Sequence, residues 1–242
     1  ALQRCLFCVK VLRKLAMNGF STPTRVIFVN GFYSGLIDRI NFMTFFRKHH
    51  ESDALCAPAE KLTSLLLKCL NELLESFPFC FMKYIPGVLE MVTRYLFSEE
   101  DKRLLYERFT VQCLTLIKCI LDCPEYHVNK NTKGASDPRA LDVYKIKSEF
   151  FTNPVLEQIC IQLISEYFLL TRDDLEIWEN DPEEFCAEIE SGDSWKFSLR
   201  PATECLFRTM FHNYKEAFIP ILSKMMNETL KMTDPNDLRG IL

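Results

Sequence analysis

The sequence predicts an all-α chain, and three observations carry that prediction. Only 7 glycines stand against 20 phenylalanines among 242 residues, where average usage supplies about 7% glycine, so a fold built on tight turns or on backbone pressed against a ligand is poorly supported. Apolar residues recur three, four, seven and eight positions apart, the spacing of helices that bury one face, and no segment sustains two-residue alternation. Prolines fall where helices open, because the first turn has no use for the missing N–H.

The helices follow in order. One over 2–16 is followed by one over 25–48. The stretch from Glu51 connects to Pro58, which opens a helix over 58–77 with the cleanest stripe of the chain: Leu62, Leu65, Leu66, Cys69, Leu70, Leu73, Leu74 and Phe77. Pro78 separates it from 82–97, and a helix over 104–123 comes next. From Cys123 to Asp137 the chain is polar, with Asn129, Lys130, Asn131, Thr132, Lys133 and Gly134, and reads as a mobile loop near 123–138. Asp137-Pro138 opens 139–150, and Asn153-Pro154 opens 153–170 with Leu156, Ile159, Cys160, Leu163, Ile164, Tyr167 and Phe168 on one stripe. Two short acidic helices, 172–180 and 182–190, make an insert near 171–195 in which Trp178 and Trp195 are expected to pack as anchors. Helices over 199–213 and 215–231 complete the map.

Paired in order, these helices form antiparallel hairpins: 2–16 with 25–48, 58–77 with 82–97, 104–123 with 153–170, and 199–213 with 215–231. Two-helix units of roughly 40 to 47 residues characterise HEAT and armadillo solenoids. The expectation is one solenoid fragment over residues 1–242, with about four HEAT-like helix pairs, and a closed helical bundle is the alternative. Because an amphipathic run begins at once, without an initiator Met, the sequence reads as a piece of something longer. Its terminal helices should then expose apolar faces where neighbouring repeats would pack.

Several function classes are disfavoured. The apolar runs, such as Leu65 to Leu67, fall far short of the roughly 18 to 20 residues that span a bilayer, so no membrane insertion is expected. Lys and Arg are dispersed rather than striped, which argues against nucleic acid. The glycines form no G-x-G-x-x-G and no phosphate loop, and neither H-E-x-x-H nor G-x-S-x-G occurs. His49-His50-Glu51 sits at a predicted helix end, where histidines meet the last carbonyls. Cys5 and Cys8 form a C-x-x-C pair without a second pair or a histidine at zinc-finger distance. Most of the 11 cysteines lie on apolar stripes, as small buried hydrophobes of a reducing compartment. No enzyme activity, catalytic residue, metal site or cofactor is expected.

The informative segment is Thr171 to Ser194. It holds ten acids against one base, Arg172, for a formal charge of −9, whereas the whole chain carries −4; the remainder is therefore +5. Capping accounts for Asp173, Asp174, Asp181, Glu183 and Glu184. It leaves Glu176, Glu179, Glu188, Glu190 and Asp193 unexplained, and a cluster so dense repels itself unless it is solvated or met by a cationic partner.

The same segment carries a resemblance. The run Asp174 to Phe185, DLEIWENDPEEF, followed by Ser198 to Leu206, SLRPATECL, resembles the importin-β (karyopherin-β) family, in which a W-E-x-D-P-E-E-F motif precedes a helix with an arginine and small residues. Likeness extends to Gly192–Pro201, to Phe109–Cys113, to Lys145–Lys147 with Phe150-Phe151, and to Val11–Leu15 with Asn18-Gly19-Phe20. The resemblance implies a HEAT-repeat solenoid that shuttles between nucleus and cytoplasm, carries protein cargo, binds Ran-GTP and touches Phe-Gly nucleoporins on its convex side. Asp173, Asp174, Glu176, Glu179, Asp181, Glu183 and Glu184 are then expected to face a basic surface on Ran or on cargo. A HEAT-repeat interaction scaffold without a transport role is the alternative.

Overall fold

The computed structural model describes residues 2–19, 22–50, 54–98, 106–128, 137–170, 172–183, 186 and 196–232. Among these every regular element is helical: α1 (Leu2–Asn18), α2 (Thr22–His49), α3 (Cys56–Ser76), α4 (Pro78–Phe81), which runs through a 3₁₀ turn into α5 (Ile85–Phe97), then α6 (Glu107–Asp122), α7 (Pro138–Phe150), α8 (Asn153–Gln162), α9 (Arg172–Asn180), α10 (Leu199–Asn213) and α11 (Lys215–Met232). No described residue, glycine included, has positive φ, as the glycine poverty requires. Of the predicted 182–190 helix, residues 184, 185 and 187–190 lie outside the described residues, as does Trp195.

The helices stand in two rows. In the first row α1, α3, α6 and α10 stack side by side; α2, α5, α8 and α11 form a looser second row, in which α8 and α11 make extended contact and α2, α5 and α8 are linked by side chains, with α7 inserted against α5. The first row approaches closely and its neighbours share side-chain hydrogen bonds. The Nε and Nη2 groups of Arg13 on α1 both donate to the Glu72 carboxylate on α3. Asn71 Nδ2 on α3 donates to Gln112 Oε1 on α6 at 3.1 Å, and Thr209 Oγ1 on α10 donates to Asp122 Oδ2 on α6 at 2.9 Å. Helices of the second row approach one another more sparsely; in a curved stack the inner row is the more tightly spaced one, which assigns the first row to the concave side.

Tyrosines join the second row. Tyr84 Oη donates to the Asn30 carbonyl at 2.7 Å, Tyr126 Oη to Pro78 O at 2.5 Å, and Tyr167 Oη to Leu96 O at 2.6 Å. Tyr126 and Tyr167 bury their rings and Tyr84 half-buries its own, and each supplies a proton to a backbone oxygen, one of the uses that keeps buried tyrosines compatible with a core. Tyr126 belongs to the Cys123–Asp137 stretch, and its side chain and that of Cys123 are buried; residues 129–136 lie outside the described ones.

Two departures from the expected map have physical causes. The most extensive contacts between sequence neighbours join α2 with α3 and α5 with α6, while α1 with α2 touch little, so the hairpins run one helix out of register with the predicted pairing. A stripe reveals that a helix is buried, not which neighbour it faces, and in a solenoid every helix has one on each side. The predicted 153–170 helix ends at Gln162 and continues as a five-residue π turn, Leu163–Tyr167.

The end helices expose apolar side chains. Phe7, Val11 and Leu15 on α1, Val26 and Ile27 on α2, and Ile219 and Met226 on α11 are all exposed, Ile27 at 77%. The central helices are instead buried on the faces that meet their neighbours, with Leu67, Leu70, Leu73, Leu114, Ile117 and Ile120 at 0% exposure. No helix among the described residues is long and apolar enough to cross a membrane.

Candidate functional site: the acidic helix and the concave row

The acidic helix is held at its root and largely exposed along its length. α8 passes through the π turn, where Tyr167 Oη reaches Leu96 O and Phe168 meets Phe207 of α10 edge-on at 5.6 Å. From that anchored point α9 leaves the stack and enters none of the extended helix–helix contacts. The chain rejoins the stack at Lys196 and Phe197, and the Leu199 backbone N–H donates to Glu107 Oε1 on α6 at 3.3 Å.

Of the predicted site residues, Glu176, Glu179, Asp181 and Glu183 are exposed and Asp174 is half-buried. Asp173 is on α9 but its side chain is not described, and Glu184 lies outside the described residues. Glu176 and Glu179, three residues apart, share one helix face, where like charges repel. Solvent or a cationic surface relieves that repulsion. Trp178, expected as a packing anchor, is 47% exposed, so it covers α9 only in part.

The chemistry available to the buried groups is conservative. Burial pushes the Cys69 thiol up to about 12. It does the same, first among the causes, for Cys119, reinforced by the nearby Glu75 carboxylate. Such thiols stay protonated near neutrality and serve as packing. Burial lowers the Lys147 ammonium, with Cys123 and Asp122 partly restoring it. Among the described residues no group of three or more His, Cys, Asp and Glu side chains is arranged to hold a metal ion.

Sequence reasoning missed a groove of about 660 Å³ between α3 and α6 on the concave row, with Lys196 and Phe197 at its rim. Lys68 and Arg108 line its walls, yet they lie 40 residues apart, and no motif joins them. Only the stacking of α3 on α6 brings them to one place.

With this geometry in hand, three known proteins are informative. The chain is 41% identical over 243 residues to human importin-11, covering 100% of this chain and 25% of that protein. The mouse importin-11 is 40% identical over the same span, and the importin beta-like protein KAP120 of Saccharomyces cerevisiae is 23% identical over 251 residues, with 98% of this chain covered. The chain thus spans about a quarter of the length of the curated relatives it matches. Among solved structures, that of Lph2, described as a bidirectional nuclear transport receptor of S. cerevisiae, superposes with a TM-score of 0.67 over 96% of this chain and 23% of its own, at 19% identity, and shares the fold. No family model matches the sequence. Two stacked rows of helices and an unbroken likeness along the chain make it a homologue of importin-11, of the importin-β type, with a HEAT-repeat solenoid fold.

Proposed function

We propose that the chain is part of a nuclear transport receptor that carries protein cargo through the nuclear pore, shuttles between nucleus and cytoplasm, and binds Ran in its GTP form. The observation that carries this reading is the 41% identity to importin-11 along the entire chain. In this reading residues 1–242 form one solenoid fragment of about four helix pairs, with α9 in an acidic insert. Asp173, Asp174, Glu176, Glu179, Asp181, Glu183 and Glu184 face a basic surface on Ran or on a basic cargo. The exposure of Glu176, Glu179, Asp181 and Glu183 on a helix that leaves the stack supports that role. Charges so placed raise encounter rate and selectivity more than affinity. Phe-Gly nucleoporins are assigned to the convex second row.

The full receptor is tested by pull-down with Ran loaded with GTP or GDP. Selective capture of the GTP form is expected; equal or absent capture would favour the scaffold without a transport role. Replacing Glu176, Glu179 and Asp181 by their amides should weaken binding of Ran or basic cargo and reduce its salt dependence. Unchanged affinities and salt slopes would remove the acidic helix from the binding surface.

A further inference from the structure

We infer that the groove between α3 and α6 on the concave row is a docking site for an extended acidic peptide segment of a protein partner, opposite in charge to the surface that α9 suits. Three observations carry this. The first is charge. Lys68 on one wall and Arg108 on the other make no ion pair among the described residues, whereas the nearby Glu72 carboxylate is already held by the Nε and Nη2 groups of Arg13. Glu75 accepts from the Cys119 thiol at 3.5 Å. With Glu72 paired to Arg13, Glu75 is the one lining carboxylate without a cationic partner among the described residues, set against Lys68, Arg108 and Lys196, so the groove keeps a cationic excess.

The second is the polar floor. Asn71 and Thr115 line the groove and are 5% and 8% exposed. Asn71 spends its amide N–H₂ on the Gln112 carbonyl at 3.2 Å and on Gln112 Oε1 at 3.1 Å, which leaves Asn71 Oδ1 without a hydrogen bond, and Thr115 Oγ1 is also unpartnered. Buried polar atoms are normally satisfied. Both atoms lie beneath the groove surface, so an extended chain would satisfy them, with backbone N–H for the carboxamide oxygen and a carbonyl for the hydroxyl, only as the Asn71 and Thr115 side chains turn outward on docking. The third is Phe197, 68% exposed at the rim, where its ring can cover an apolar side chain between two acids. Cation-bearing helices on facing walls suit carboxylates projecting to both sides of such a segment. A nucleic acid is less well served, because Lys68, Arg108 and Lys196 sit on three separate segments rather than in a stripe, and Phe197 is the one aromatic ring among the described lining residues.

The test uses the full receptor and a short dye-labelled peptide repeating Glu-Leu-Asp, read by fluorescence anisotropy, beside Gln-Leu-Asn and Lys-Leu-Lys counterparts and a single-stranded oligonucleotide. Lys68→Gln with Arg108→Gln should weaken the acidic peptide about tenfold at low salt and flatten its salt dependence. Both residues are exposed, so the melting temperature should hold. Lys68→Glu with Arg108→Glu should shift the preference to the Lys-Leu-Lys peptide, and Glu176→Gln with Glu179→Gln should leave acidic-peptide binding unchanged, which separates this site from the one proposed on α9. Equal binding of the amide peptide, unaltered affinity in the double variant, or displacement by the oligonucleotide at lower concentration than by the peptide would each overturn the assignment.

Discussion

Helices α6 and α9 were both expected from the sequence, one as a member of a hairpin and the other as an acidic insert, and the structure treats them in opposite ways. In α6, eleven of sixteen residues are buried, from Phe109 to Leu121. In α9 no described side chain is buried, and Leu175 and Trp178 are 37% and 47% exposed. The difference lies in neighbours. α6 is flanked by α3 and α10 and backed by α5, while α9 leaves the stack after the π turn. A stripe gives a helix the capacity to bury a face, and the number of partners determines how much of that capacity is used. One helix supports the solenoid; the other presents acids.

The sharpest way to break this contrast is a matched pair of truncations. Leu114→Ala removes a side chain with 0% exposure and should cost about 2–5 kcal/mol, whereas Leu175→Ala should cost less than about 1 kcal/mol. Urea denaturation of the two variants measures both. Similar losses would mean that α9 is packed as firmly as the stack.

The stack should also answer to alkaline pH, and α9 should not. Burial raises the thiols of Cys69, Cys119 and Cys123 to about 12, with carboxylates adding to the shift at Cys119 and Cys123. A group whose folded pKa is raised contributes stability that is complete below its unfolded value, 9.0 for these thiols, and that is lost as pH climbs toward 12. Lys147, with its folded pKa lowered, runs the other way: its unfolded state holds the proton longer, so stability rises with pH between the folded value and 10.5. Three thiols outweigh one lysine, so stability should fall above pH 9, by about 1.4 kcal/mol per pH unit for each thiol while it titrates only in the unfolded chain. Cys69→Ala and Cys119→Ala should each flatten the slope of stability against pH by one proton.

A smaller effect tests the tyrosine joints. Tyr126→Phe keeps the ring and removes the donor to Pro78 O, which should cost about 1–3 kcal/mol because a buried carbonyl is left unpaired. Loss of stability in Tyr126→Phe without a structural change would identify the hydroxyl, rather than the ring, as the joint.

Local signals read well wherever one helix sufficed. Asp137 was legible as a helix start, and its carboxylate accepts from the Arg139 N–H at 2.9 Å; Pro138 and Pro154 sit in first turns as their chemistry allows. What was illegible depends on more than one segment. Leu163, Ile164, Tyr167 and Phe168 keep α-helical spacing, so the added residue of the π turn leaves no mark in the pattern. Hairpin register was hidden because both faces of a solenoid helix are apolar. Lys68, Asn71, Arg108 and Thr115 come together only when α3 lies against α6, and read singly along the chain they are ordinary surface or core residues. Of the acidic site, the charge was visible in full, while the escape of α9 from the stack followed from the π turn and from contacts no stripe encodes.

The smallest expected effect bears most directly on how the two regions divide their work. Glu176→Gln with Glu179→Gln removes two exposed like charges from one face of α9. Removing mutual repulsion should leave stability within about 0.5 kcal/mol of the parent, with any change favourable. If the acids were fixed by the fold, neutralising them would destabilise the chain, and the reading of α9 as a presenting surface would fail. If stability holds while the salt dependence of Ran or cargo binding falls, the charge is kept for a partner. Self-repelling charge kept without structural return is explained where another surface supplies the counter-charge, which is the arrangement proposed for α9, anchored at Tyr167 and Phe168 and largely exposed beyond them.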